Sequence, residues 1–218
     1  QSIYAQTDGT IVLDEVILSD ARLRQFSSGV KVETLTDSVV RNNGGTLTDL
    51  LQYNSSIYFK ENGYGMVSSV SFRGTNAQQT AVIWNGININ SQFNGQTDFN
   101  TISTLNYDNI AVRSGGGSVQ YGSGAVGGSV HLNNTFLFQN HFDNKLQVDY
   151  GSFSTVHANY GTSYGNEKLA LNFNLDYRKS DNDYKYLGTD QRNENGAFEN
   201  FNLSLDAGYF LSESNLLK

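Results

Sequence analysis

Four stretches in the last third of the chain alternate polar and apolar residues strictly, and a period of two dictates β-strands. Lys145-Leu146-Gln147-Val148-Asp149-Tyr150 is the first and Val156-His157-Ala158-Asn159-Tyr160 the second. Leu169 to Arg178 places Leu, Leu, Phe, Leu and Tyr on one face and mostly Asn, Asp and Arg on the other, and Phe201 to Tyr209 repeats the pattern. Strands of about ten residues with aromatics near their ends meet the demands of a membrane-crossing β-barrel, with one face in lipid and the other towards a polar lumen. A soluble, half-buried sheet satisfies the same alternation. Gly161-Thr162-Ser163-Tyr164-Gly165-Asn166 reads as a short turn and Lys179 to Asn200 as a long polar excursion, the asymmetry of barrel turns and loops. Four strands cannot close a barrel, which needs about eight, because an open edge in lipid leaves backbone groups unpaired. A further strand begins after Ser212, and the barrel is expected to be incomplete in this chain.

Composition narrows the remaining classes. No run of 18 apolar residues occurs in the 218, so no transmembrane helix is expected. The chain starts at Gln1 with no basic stretch leading an apolar one, which suggests a processed N-terminus. With 22 Gly, 13 Tyr, 13 Phe and no Pro, the profile favours strands joined by Gly and Asn turns. The absence of Cys excludes disulfides and thiolate metal sites. A formal charge of -7 with no basic run argues against nucleic acid as a partner.

Residues 30–135 read differently. Thr46-Leu47-Thr48-Asp49-Leu50-Leu51 spaces three Leu for a helix, with Thr46 as N-cap and Asp49 favouring the helix start. Short apolar segments follow at Met66 to Val70, Thr80 to Trp84 and Asn109 to Val112, separated by Gly63-Tyr64-Gly65, Asn85-Gly86 and Ser114-Gly115-Gly116-Gly117. The expectation is an α+β domain over 30–135, a mobile N-terminal segment over 1–29, and about four antiparallel strands of a transmembrane β-barrel over 136–218.

Four motifs then occur in order: Ser71-Phe72-Arg73-Gly74, Val82 to Asn90, Asp108 to Gly115, and Gln120 to Leu132 with its dense glycines. Together they resemble the motif set of TonB-dependent outer-membrane receptor plugs, in style nearest the cobalamin and ferric-siderophore branch. Asn85-Gly86 stands where the family usually has Asp-Gly, Arg113-Ser114-Gly115 where it has Arg-Gly-Pro, and Asn54-Ser55-Ser56-Ile57 where it has Pro-Gly-Val. These departures fall in turns.

The resemblance implies a receptor in the bacterial outer membrane, its plug accessible from the periplasm, that imports a scarce nutrient such as cobalamin or a ferric siderophore. Implied partners are the TonB C-terminal domain, outer-membrane lipid, a small-molecule ligand and a surface lipoprotein. The β-prone segment Val12, Leu13, Asp14, Glu15, Val16, Ile17 and Leu18 resembles a Ton box, which needs an extended strand able to add to a partner's sheet edge; the first strand of the plug is the competing role. Arg73, Gly74, Arg113, Tyr121, Gly122, Gly127 and Gly128 are implied plug–barrel contacts, the arginines pairing with wall carboxylates and the glycines allowing close backbone approach. Solvated arginines and an ordinary glycine-rich loop are the plainer alternatives. Candidate ligand-facing residues are Tyr64, Trp84, Asn85, Asn88 and Phe93, with core packing the alternative for Trp84.

Asp181, Asp183 and Asp190 crowd one long loop where a structural calcium is conceivable, although the spacing lacks the Gly and terminal Glu of a calcium loop. His131, His141 and His157 have no metal-ligand spacing and no nucleophile elbow is present, so no enzyme is expected. The rival to transport is a soluble or surface-exposed all-β binding or adhesion protein.

Overall fold

A computed structural model describes residues 16–17, 23, 29–43, 45–61, 63–212 and 215–218. The strands are β1 (Val16–Ile17), β2 (Val32–Leu35), β3 (Tyr58–Glu61), β4 (Ser68–Ser71), β5 (Thr80–Trp84), β6 (Ile87–Asn88), β7 (Asn109–Ser114), β8 (Gly128–Asn133), β9 (Thr135–Phe136), β10 (His141–Gly151), β11 (Thr155–Gly165), β12 (Leu169–Ser180), β13 (Phe198–Ser212) and β14 (Asn215–Leu217). The helices are α1 (Asp37–Asn42), α2 (Leu47–Asn54) and α3 (Ser118–Tyr121).

The N-terminal globule is built on a mixed sheet of order β2-β7-β8-β5-β6, in which β5 runs parallel to β8 and the other pairs are antiparallel. Helix α2 begins with a reciprocal capping box: the Asp49 amide donates to Thr46 Oγ1 and the Thr46 amide to Asp49 Oδ2, each at 3.2 Å. Two orphan donors are thereby satisfied before the helix turns its apolar face inward. Leu47, Leu50 and Leu51 are fully buried and join Val82, Phe99, Ile110, Val112 and Leu132 in one core. The β5–β6 hairpin turns on Asn85 and Gly86, with φ of 46° and 89°. Left-handed backbone at both positions gives the two-residue turn whose twist suits a hairpin, and Asn and Gly tolerate it best.

The second sheet, of order β10-β11-β12-β13-β14, is an antiparallel meander of long strands. Its polarity is the reverse of the globule's. Phe142, Leu146, Val148 and Tyr150 of β10 and Phe201, Leu203, Leu205 and Leu211 of β13 are each at least 60% exposed. Cross-strand register assembles them into a continuous apolar face: Leu146 opposes Tyr160, Tyr160 opposes Leu175, and Leu175 opposes Leu203. On the opposite face His157, Asn159, Asp176, Arg178 and Asp206 are buried.

Strand β11 runs through Gly165, so residues 161–165 are not the turn their composition suggests; the reversal comes at 166–168. Thr162 and Tyr164 continue the outward alternation, and Gly161 faces Asn174, whose side-chain oxygen would lie 2.6 Å from any added Cβ. A fifth strand, β14, pairs with β13, and among the described residues the sheet stays open at β10 and β14. No helix among the described residues is long and apolar enough to cross a membrane, which leaves strand crossing open.

Candidate functional site

The globule rests on the polar face of the long-strand sheet, and a seam of hydrogen bonds joins them. At one end the turn carrying Tyr64 meets the start of β13. Asn182 Nδ2 donates to the Tyr64 carbonyl at 2.9 Å, and the Tyr64 ring packs edge-on against Phe198 at 5.5 Å between centroids. Gly65, at φ 74°, is required there because a Cβ would collide with the Phe198 ring. The Tyr64 hydroxyl is raised above its ordinary range by burial, opposed by the hydrogen-bonded Arg178 guanidinium.

Further along, Asn100 is the hub of the seam. Its amide nitrogen donates to Glu61 Oε1 at 2.6 Å and to the Met66 carbonyl at 2.5 Å, its side-chain oxygen accepts from Thr46 Oγ1 at 3.1 Å, and its carbonyl accepts from Asn200 of β13 at 3.3 Å. Below it, Ser103 of the globule faces the Asp176 carboxylate of β12. Within the wall, His157 Nε2 lies 2.7 Å from Asp176 and its Nδ1 3.2 Å from Asp149, while Asn159 Nδ2 donates to Asp176 at 3.1 Å. A buried carboxylate supplied with several partners is held in one orientation, and removing one partner would leave it poorly compensated.

At the other end Asn172 Nδ2 donates to the Thr135 carbonyl at 2.9 Å. Tyr107 is pushed up to about 12 by burial and secondarily by the negative charge of Asp206. Gly208 of β13 leaves room for Phe136, whose ring would lie 2.9 Å from a Cβ, and Phe138 continues the contact to Phe210 at 4.5 Å.

The residues singled out from sequence fall mostly elsewhere. Arg113 is buried and donates to the Gly115 and Gly116 carbonyls at 3.3 and 2.9 Å, with its guanidinium carbon 6.0 Å from the centre of the Tyr121 ring. Arg73 is exposed at φ 48°, next to Gly74 at φ 84°. Tyr121 stacks edge-on against His131 at 4.9 Å, and Gly122 is exposed at φ 89°. Gly127 and Gly128 permit close packing inside the globule, where added Cβ atoms would meet Thr75 at 2.5 Å and the Arg113 carbonyl at 2.7 Å.

Tyr64 is on the seam, whereas Trp84 donates from Nε1 to Asn134 at 3.0 Å, packs on the core, and shares Asn134 with Asn85. Asn88 donates to the Tyr121 carbonyl at 3.2 Å, and Phe93 is fully exposed. Asp183 pairs with Arg192 at 2.8 Å and Asp190 with Lys185 at 2.6 Å, while the Asp181 amide donates to the Phe153 carbonyl. No group of three metal-ligating side chains occurs among the described residues. Of the strap, Val16 and Ile17 form β1, antiparallel to Phe136 and Thr135 of β9; Val12 to Glu15 and Leu18 lie outside the described residues.

The seam residues Asn100, Asn172, Asn182, Asn200, Asp176 and His157 were not singled out by sequence. The available signal was the inward parity of the strands, which puts 172, 176 and 200 on the polar face.

Comparison with known proteins fits this geometry. Residues 24–129 match the model of the TonB-dependent Receptor Plug Domain. The chain is similar to the Vitamin B12 transporter BtuB of Vibrio vulnificus, with 29% identity over 123 residues, 55% of this chain and 20% of the relative. BtuB of Vibrio cholerae matches to the same extent. Among solved structures, the copper transporter OprC shares 18% identity at a TM-score of 0.71, over 85% of this chain and 29% of that one. The siderophore receptor PirA from Acinetobacter baumannii shares 18% at 0.66, over 87% and 30%. These structures establish the shared fold, and the chain spans about a fifth of the length of the curated relatives it matches.

Proposed function

Residues 24–129 form a TonB-dependent receptor plug domain, and from that premise we propose that the chain is the gate and first wall of an outer-membrane transporter for a scarce nutrient such as cobalamin or a ferric siderophore. In this reading 1–29 is the strap that engages TonB, 30–135 the plug, and 136–218 the opening strands of the barrel. The observation that carries it is the inverted sheet, whose apolar outer face has no cover among the described residues while its polar inner face holds the plug. Lipid suits the first face and a plugged lumen the second. A soluble adhesin would leave that contiguous apolar band in water, a kind of surface that monomers rarely expose.

The mechanism follows from the seam. Ligand binds where the Tyr64 turn meets the long 181–197 loop, whose Asn182 already grips the plug backbone. Each plug–wall hydrogen bond contributes about 1 kcal/mol net, so the seam can hold the plug at rest and yield sequentially when force is applied through the strap. Outer-membrane residence, with the plug reached from the periplasm, supplies the geometry for that pull. A surface lipoprotein as an additional partner is compatible with the exposed loop face. Arg113 and the glycine-rich loop pack within the plug, and Phe93 and Tyr64 are the candidate ligand contacts.

The full-length receptor is expected to require detergent for extraction from outer membranes and to take up radiolabelled cyanocobalamin or ferric enterobactin only in cells with TonB. A peptide spanning Thr10 to Asp20 should bind the TonB C-terminal domain. Extraction in the absence of detergent, or uptake independent of TonB, would overturn the reading.

A further inference from the structure

The apolar outer face of the long-strand sheet ends in two unlike rims. At one, the 181–197 excursion leaves the wall; at the other, β11 passes directly into β12 through Asn166, Glu167 and Lys168. Short turns mark the periplasmic side of an outer-membrane barrel, so this second rim lies where the apolar face meets water. The turn is built to keep its shape. Asn166 Oδ1 accepts from the amides of Lys168 at 2.9 Å and Leu169 at 2.8 Å, and Asn166 Nδ2 donates to the Tyr164 hydroxyl at 3.2 Å. The Asn166 amide donates to the Leu169 carbonyl at 2.8 Å, and the Lys168 carbonyl accepts from the Phe210 amide of β13 at 2.9 Å. At its tip Glu167 and Lys168 are exposed, and neither enters a salt bridge among the described residues. Against this turn lies a recess of about 420 Å³, lined by Asn140, Asn166, Glu167, Lys168, Leu169 and Tyr209. That volume is within the range of small-molecule sites. Leu169 and Tyr209 are a cross-strand pair of outward parity, so the floor of the recess continues the apolar face while its mouth carries one ammonium and one carboxylate.

We propose that this recess is a headgroup site for a phospholipid of the phosphoethanolamine class. The Lys168 ammonium and the Tyr209 hydroxyl face the phosphate, the Glu167 carboxylate faces the ligand's ammonium, and Leu169 begins the track for an acyl chain. The assignment rests on the outer-membrane reading above and adds a lipid of stated chemistry at a stated place. Charge selects the headgroup. A zwitterionic headgroup carries an anion and a cation a few bonds apart, and adjacent Glu and Lys side chains meet both. A purely anionic headgroup would satisfy Lys168 and leave Glu167 beside a like charge, which is discrimination by repulsion. Position selects a lipid over a free solute. A lysine at a membrane boundary lays its apolar stem along the hydrocarbon edge and sends its charge to the headgroup layer, and tyrosine concentrates there because its ring is apolar and its hydroxyl is not. The hydrogen-bonded turn holds both charges in place before the lipid arrives, which lowers the ordering cost of binding.

The test uses the full-length receptor purified in detergent and titrated with short-chain phosphatidylethanolamine, phosphatidylglycerol or phosphatidylcholine, with bound lipid counted by native mass spectrometry. The wild type should hold one phosphatidylethanolamine about tenfold more tightly than phosphatidylglycerol, the scale of one hydrogen bond to a charged group. Phosphatidylcholine, whose quaternary ammonium has no N–H to donate, should also bind more weakly. Lys168→Gln should weaken phosphatidylethanolamine and phosphatidylglycerol alike by about tenfold, whereas Glu167→Gln should weaken phosphatidylethanolamine alone and erase the preference. Heat-modifiability checks that each variant has assembled, and Tyr209→Phe, which removes only a hydroxyl, should still weaken phosphatidylethanolamine measurably. Equal affinity of the wild type for the three lipids overturns the proposal, as does phosphatidylethanolamine binding retained in full by the Glu167→Gln/Lys168→Gln receptor. Water-soluble phosphoethanolamine binding as tightly as the lipid would make this a site for a free solute and overturn the lipid assignment. A receptor that leaves membranes without detergent overturns the membrane reading and this site together, whereas a detergent-dependent receptor with no lipid preference loses this site alone.

Discussion

The plug and the long-strand sheet are made from the same residue types, arranged in opposite senses. In the plug, Leu47, Leu50, Leu51, Val82 and Leu132 are sealed from solvent and polar side chains point out or bond locally. In the sheet, Leu146, Leu203 and Leu205 face outward while His157, Asp176 and Arg178 are buried. The plug folds by removing apolar surface from water. The sheet cannot do so by itself, and its order comes from paired backbone, cross-strand side chains and the plug on its polar face. The difference teaches that one chain can carry two solvents' worth of patterning, and that the seam between them combines hydrogen bonds with aromatic contacts at its ends.

The comparison can be broken most forcefully in the plug core. Leu50→Ala, at a position with no solvent exposure, should cost about 2–5 kcal/mol, seen as proteolytic release of the plug from an otherwise folded full-length receptor. Nearly as large is the effect of charge on the outer face. Leu203→Arg should cost roughly 2–4 kcal/mol if that face meets the bilayer centre, measured as a loss of membrane-assembled, heat-modifiable receptor. Were the face in water, the change would be close to neutral.

Alkaline titration probes the seam from the plug side. The Tyr107 hydroxyl is pushed up to about 12, so its contribution is fully present below the ordinary tyrosine range near pH 10 and is lost as pH rises towards 12. The loss amounts to roughly 3 kcal/mol at most, at about 1.4 kcal/mol per unit. Denaturant midpoints of the receptor between pH 9 and pH 12 should therefore fall more steeply for the wild type than for Tyr107→Phe. Parallel curves would detach Tyr107 from that environment. The smallest effect expected is at the seam's end: Asn182→Ala removes the bond to Tyr64 and should loosen the plug by about 1 kcal/mol, visible as faster hydrogen exchange at the Tyr64 turn.

Much of the fold was legible because its signals are local. Alternation located the long strands, and Thr46 with Asp49 marked the start of α2. The extension of β11 through Gly161 to Gly165 was not, since Gly-Thr-Ser-Tyr-Gly carries turn chemistry and only the pairing with β12 shows that its parity continues. The seam was less legible still. Asn182 meets Tyr64 across 118 residues and Asn200 meets Asn100 across 100. Nothing local marks those asparagines among the chain's many. Arg113 illustrates the converse: its charge announces a need for partners, and carbonyls two and three residues away are among those that meet it.

The central claim is that β13 has lipid on one face and the plug on the other, and spin labels scanned one residue at a time from Phe201 to Tyr209 in the bilayer-reconstituted full-length receptor test it directly. The account predicts a strict period of two, with high oxygen accessibility at 201, 203, 205, 207 and 209 and low accessibility to both oxygen and a water-soluble relaxant at the even positions between them. Uniform accessibility, or odd positions open to the water-soluble relaxant, would contradict it.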